Sequence, residues 1–219
     1  MSRRVGLLGG TFDPVHLGHL IVAEDVRVQL SLDQVLFIPA RQSPLKQDRQ
    51  CSPVEDRLAM TELAVASNAH FAVSAVELER DLPSYTVETV QYLLEQLGKG
   101  ATLYFMVGLD QAAQLPRWKD PDVLMDLCQL VFMTRPGWQP LDYETLETYI
   151  PRSRERTMVV TVPAIGISST EIRRRAGQGH SIKYLVPEPV EEYILRHRMY
   201  LANQPHPDML APDGKGGAW

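Results

Sequence analysis

The feature that most limits what this chain can become is its rhythm: apolar runs of strand length alternate with helix-length segments along almost its whole length. Residues 5–8, 35–38, 71–76, 102–107, 130–133 and 158–162 read as strands, each apolar and bounded by turn or polar residues. Between and after them, helices are expected over 17–30, from 52 to about 65, and over 87–97, 142–149, 169–176 and 189–201. Ser52-Pro53-Val54-Glu55 reads as a helix start, with a serine N-cap, proline at the first helical position and a glutamate for a capping box. Gly98 stands where a left-handed C-cap would end the third helix. Strands that alternate with helices pair in parallel and are covered on both faces. The expectation is an α/β protein built on an open, doubly wound parallel sheet.

At 219 residues the chain suits one compact domain, or one with a small subdomain. Its formal net charge of −5 argues against a partner with a long phosphate backbone, DNA or large RNA, but not against a small phosphorylated ligand. Cys51 and Cys128 form no C-x-x-C pair and read as reduced thiols. No apolar run reaches membrane-spanning length and no signal-peptide pattern opens the sequence, so a cytoplasmic protein without membrane partners is expected. Residues 203–219, rich in Pro, Gly and Asp, read as a disordered tail, which leaves 1–202 as the domain. There is no internal repeat, and the sequence leaves a homo-oligomer open.

The segment between the first strand and the first helix is the most informative. It runs Gly9-Gly10-Thr11-Phe12-Asp13-Pro14-Val15-His16-Leu17-Gly18-His19. Gly9 and Gly10 read as a tight turn that lets backbone approach a ligand, and the helix start that follows offers free N–H groups to phosphate. His16 and His19, three apart, share one face of the first helical turn, and Gly18 leaves room between them. Two imidazoles aimed at one place can donate to phosphate oxygens. A zinc site lacks a third ligand, and the spacing is not that of a dinucleotide-binding G-x-G-x-x-G. After the last strand, Ile167-Ser168-Ser169-Thr170-Glu171-Ile172-Arg173 opens another helix with hydroxyls and an arginine one turn on. Such an arginine suits bidentate contact with phosphate, whereas Arg174 and Arg175 read as a solvated face.

Together these two segments resemble the H-x-G-H and I-S-S-T-x-x-R signatures of the nucleotidylyltransferase superfamily. The fuller string GG-T-F-D-P-x-H-x-G-H is similar to that of the bacterial nicotinate-mononucleotide adenylyltransferases. The resemblance implies a Rossmann-like fold of the nucleotidylyltransferase type and transfer of the adenylyl group of ATP to nicotinate mononucleotide, an NAD-biosynthesis step that yields deamido-NAD and pyrophosphate. It implies His16, His19, Lys46 and Arg173 as the catalytic set, and Gly9, Gly10, Thr11, Phe12, Gly108, Asp110, Ile167, Ser168, Ser169 and Thr170 around ATP. Ser84, Tyr85, Thr86 and Trp118 would face the pyridine nucleotide, through S-Y-T and L-P-x-W segments. Lys46 lies in a segment similar to P-P-H-K, in which Ser43 replaces the first proline and Leu45 the histidine. Arg135-Pro136-Gly137 matches a turn of the same family. Mg²⁺ is expected, held by substrate phosphates rather than by the protein.

Each outlying match has a plainer reading: packing for Tyr85 and Trp118, and a helix cap for Asp110. The alternatives for the whole chain are a nicotinamide-mononucleotide or phosphopantetheine adenylyltransferase, or a non-catalytic nucleotide-binding regulator on the same fold. A fragment like an aminoacyl-tRNA synthetase is disfavoured by the acidic charge and the missing lysine-rich loop.

Overall fold

A computed structural model describes residues 3–41, 51–79, 85–98, 100–137 and 141–201. Ser43, Leu45, Lys46, Ser84 and the tail 203–219 lie outside the described residues, so the expectations placed on them have no structural counterpart here. Six parallel strands form one sheet: β1 (Arg3–Gly10), β2 (Gln34–Pro39), β3 (Phe71–Val73), β4 (Ala101–Gly108), β5 (Gln129–Thr134) and β6 (Thr157–Thr161). Their order is β3-β2-β1-β4-β5-β6, so the chain order reverses between β1 and β4. Open α/β sheets bind ligands outside the carboxyl ends of their strands at such a reversal.

Both faces of the sheet are apolar, because consecutive strand side chains point to opposite sides. Leu8, Phe37, Met106 and Val131 pack on one face with α1 (Leu17–Gln29), α2 (Val54–Val65), α7 (Ser169–Gly177) and α8 (Glu188–Arg196). Leu7, Ile38, Phe105 and Phe132 pack on the other with α3 (Thr86–Leu97), α4 (Pro121–Leu127) and α5 (Tyr143–Tyr149). A 3₁₀ helix, Leu109–Arg117, follows β4, and the single turn α6 (Ser153–Arg156) precedes β6. Among the described residues no helix is long and apolar enough to cross a membrane.

Four local expectations need correction. Gly9 and Gly10 are no turn: β1 runs through both, and Gly10 pairs with Pro39 of β2. The glycine matters at position 10 because a Cβ there would come within 2.8 Å of the Phe12 ring, which folds back at φ 48°. Ser52 does not cap α2. Pro53 holds the N-cap position, while the Ser52 N–H donates to Asp13 and its carbonyl accepts from Arg57. β3 stops at Val73, three residues early. The last helix ends at Arg196 rather than near Leu201, because Arg198 and Tyr200 turn to positive φ and carry Tyr200 back toward Asp13. Gly98 does take positive φ after α3, though with ψ 172° rather than the left-handed helical value, and Asp142, expected inside the helix 142–149, is instead its N-cap, accepting from the Thr145 N–H.

Candidate active site at the sheet reversal

Two clefts open at the carboxyl ends of the central strands. The first, about 700 Å³, lies over β1 and the start of α7, and its wall includes Gly10, His16, His19, Ile167, Thr170 and Arg173. The second, about 570 Å³, lies over β4 and the start of α3, with Gly9, Tyr85, Thr86, Gly108, Asp110 and Trp118 in its wall. Gly10, Thr11 and His19 line both, so the clefts meet at the end of β1. Gly108 and Asp110, grouped by sequence with the ATP residues, stand in the second cleft beside the pyridine-side residues. Asp110 caps nothing: Gly108 is the N-cap of the 3₁₀ helix, and the Asp110 carboxylate accepts from the Gln111 amide at 3.1 Å.

The first cleft is strongly cationic. Arg41, Arg57, Arg135 and Arg173 line it together with both histidines, against a single carboxylate, Asp13, among the described lining residues. His16 is the N-cap of α1 and His19 sits in its first turn. Their rings stack with centroids 3.6 Å apart, and a Cβ on Gly18 would press on the His16 ring at 3.0 Å. Burial pushes His16 down to about 4, and burial together with the neighbouring His16 pushes His19 down to about 3. Both imidazoles are therefore neutral at pH 7 in the free protein. The His16 N–H donates to His19 Nδ1 at 3.2 Å, which assigns the His19 proton to Nε2 and leaves that N–H as its donor. His16 Nδ1 is buried without a hydrogen-bond partner. Phe12 is buried beside this pair, its ring edge-on to His19 at 5.1 Å.

On the far wall Ser168 caps α7 by accepting from the Glu171 N–H, and the Ser169 hydroxyl donates to the Pro14 carbonyl at 2.9 Å. Arg173 donates to the Asp13 carbonyl at 2.5 Å and to Thr170 Oγ1 at 3.4 Å. The I-S-S-T-E-I-R helix is thereby tied to the loop that carries the histidines, which gives a contact basis to the shared site that the resemblance implied. Arg174 and Arg175 pair with Glu171 at 2.6 and 3.0 Å on the exposed side of α7, in line with a solvated face.

Arg57 went unnoticed in the sequence. It is 1% exposed, and it donates to the carbonyls of Thr11 and Ala40 at 2.7 Å, Ser52 at 3.1 Å and Arg41 at 3.2 Å. One side chain thus joins the ends of β1 and β2 to the approach to α2. The signal available in the sequence is that Arg57 shares one helical face with Met60, Thr61 and Ala64, and a charge on such a face needs several acceptors to be tolerated. In the second cleft Trp118 stands edge-on to Phe105 at 6.0 Å, and its indole Nε1 is buried without a partner. Lys119 lies over the Tyr85 ring at 4.5 Å and pairs with Glu88 at 2.6 Å.

Fold and site together define an open α/β protein with paired nucleotide-sized clefts, one of them arginine-rich. Residues 7–175 match the cytidylyltransferase-like family. The probable nicotinate-nucleotide adenylyltransferase of Thermomicrobium roseum is 45% identical over 197 residues, covering 90% of this chain and 91% of that protein. The corresponding Moorella thermoacetica protein is 43% identical over 198 residues, covering 90% and 91%. Among solved structures, Plasmodium falciparum nicotinic acid mononucleotide adenylyltransferase complexed with NaAD superposes with a TM-score of 0.70. It covers 90% of this chain and 97% of that one at 18% identity, a likeness of fold. The chain belongs to the nicotinate-nucleotide adenylyltransferase family within the cytidylyltransferase-like proteins.

Proposed function

We propose that this protein, in the cytoplasm, transfers the adenylyl group of ATP to nicotinate mononucleotide, giving deamido-NAD and pyrophosphate. The observation that carries the reading is the junction of the two clefts at Gly10, Thr11 and His19, because adenylyl transfer needs two nucleotides meeting at one phosphorus. The arginine-rich cleft would take ATP, with Ile167 to Thr170 and Arg173 toward its phosphates. The second cleft would take the mononucleotide, its pyridine ring against Trp118 and Tyr85.

A phosphate monoester has its second pKa near about 6, so the attacking 5′-phosphate is already ionised at pH 7 and needs no general base. Its oxygen bonds to the α-phosphorus of ATP while the bond to the β-phosphate oxygen breaks, and the electron pair leaves with pyrophosphate. The obstacle is the crowding of negative charge, which positioned donors relieve. His19 Nε2–H at the junction suits the α-phosphate, and Arg173 suits the departing phosphates. An incoming polyphosphate would raise both histidines from their low free values, strengthening their hydrogen bonds.

Mg²⁺ fits the first cleft as a partner of the substrate phosphates. Asp13, the carboxylate among the described lining residues, already accepts from Tyr200 and Ser52. When bound there, the ion would neutralise phosphate charge.

The test is pyrophosphate release from ATP and Mg²⁺ with either nicotinate or nicotinamide mononucleotide. Strong preference for the acid is expected. Preference for the amide would keep the phosphate chemistry and overturn the pyridine pocket, and release with neither would overturn the reading.

A further inference from the structure

Behind the first cleft lies a buried polar cluster that joins the loop after β1 to the segment after α8. Asp13 is 4% exposed, yet both of its carboxylate oxygens are engaged. The Tyr200 hydroxyl donates to Oδ1 at 2.8 Å, across 187 residues of sequence, and the Ser52 N–H donates to Oδ2 at 3.2 Å. Burial first, and then the Asp13 charge, push the Tyr200 phenol up, so it is protonated and acts as the donor. Arg173 sits on the other side of Asp13, donating to its carbonyl, with Nη1 3.9 Å from Oδ2. Tyr200 stands behind Asp13 and lines neither cleft, whereas Arg173 lines the first.

We propose that Tyr200 is a positioning residue for ATP: it anchors the Asp13 carboxylate so that Asp13 aims Arg173 into the cleft. The proposal rests on the first cleft being the ATP site. Without the phenol proton, Oδ1 becomes a buried acceptor with no donor. The carboxylate then draws Arg173 to itself and sets its own charge against the incoming phosphates. Tyr200 would therefore govern ATP affinity without touching ATP, and would leave the mononucleotide cleft unaffected.

A double-mutant cycle distinguishes this from a merely structural contact, because a residue acting through Arg173 loses its effect when Arg173 is gone. ATP dissociation constants would be measured by calorimetry for the full chain and for Tyr200→Phe, Arg173→Ala and the double variant. Tyr200→Phe is expected to weaken ATP about fivefold in the wild-type background and by less than about twofold in the Arg173→Ala background. The KM for the mononucleotide should not change. Equal loss in both backgrounds, or no loss in either, overturns the proposal.

Gly177→Ala supplies a second route that leaves the phenol intact. Its Cβ would meet the Tyr200 carbonyl oxygen at 2.8 Å and shift that residue, so it should weaken ATP in the same Arg173-dependent way. An Arg173-independent effect would again overturn the proposal. Wild-type protein that does not bind ATP at all would overturn the assignment of the cleft, and this inference with it.

Discussion

At the scale of single residues, the two histidines are held neutral at pH 7 until a ligand arrives. Stacked at 3.6 Å, with His16 buried and His19 half-buried, they stay neutral in the free protein, and His19 keeps one donor directed by the hydrogen bond at its other nitrogen. His19→Ala in a correctly folded protein should lower the chemical rate by about 10²-fold, the scale of losing one transition-state donor, in single-turnover measurements. A rate near that of wild type would remove His19 from the role.

The same pair predicts a pH dependence of stability. In the unfolded chain a histidine titrates near about 6.5, whereas in the folded protein these two titrate at about 4 and about 3. Between the folded and unfolded values the unfolded state binds more protons, so this contribution to stability declines as pH falls from about 6.5. Above that window both states are neutral and the contribution is flat. Tm of the ligand-free protein should fall between pH 7 and pH 5, and His16→Asn/His19→Asn should show a shallower fall. An unchanged slope would assign the effect to other groups.

At the scale of elements, the site depends on how loops are held rather than on the helices and strands alone. Arg57 on α2 ties together carbonyls that the ends of β1 and β2 leave unpaired. Arg57→Met would keep much of the volume but leave those buried acceptors without a donor. It should cost about 3 kcal/mol or more in urea unfolding, with a weakened ATP site. A loss below about 1 kcal/mol would mean that water replaces the guanidinium. The elements themselves were largely legible, because apolar runs bounded by turn residues mark buried strands and a glycine such as Gly98 marks a helix end. What escaped was decided by tertiary partners. Ser52 reads as a cap until Asp13 and Arg57 claim its backbone, and the last helix reads as longer until Tyr200 turns toward Asp13. α4 and α6, short and weakly patterned, were invisible for the same reason.

At the scale of the whole molecule, the alternation of strands and helices was enough to indicate a parallel sheet and a ligand position at its carboxyl edge. The signature residues were legible as two separate clusters. The resemblance already implied that both surround one ATP, but the contacts that hold them together were not legible, since Ser169 meets Pro14 and Arg173 meets Asp13 across more than 150 positions of sequence. The order β3-β2-β1-β4-β5-β6 also has a consequence for how the protein comes into being. As the chain leaves a ribosome, β1 can pair with β2 at once, but its other edge has no partner until residues 101–108 have followed. The nascent half-sheet therefore carries an open edge able to recruit a foreign strand. The two clefts meet at the end of β1, and the second of them is walled by β4, so a chain on which β4 has not yet docked offers no place for two nucleotides at once.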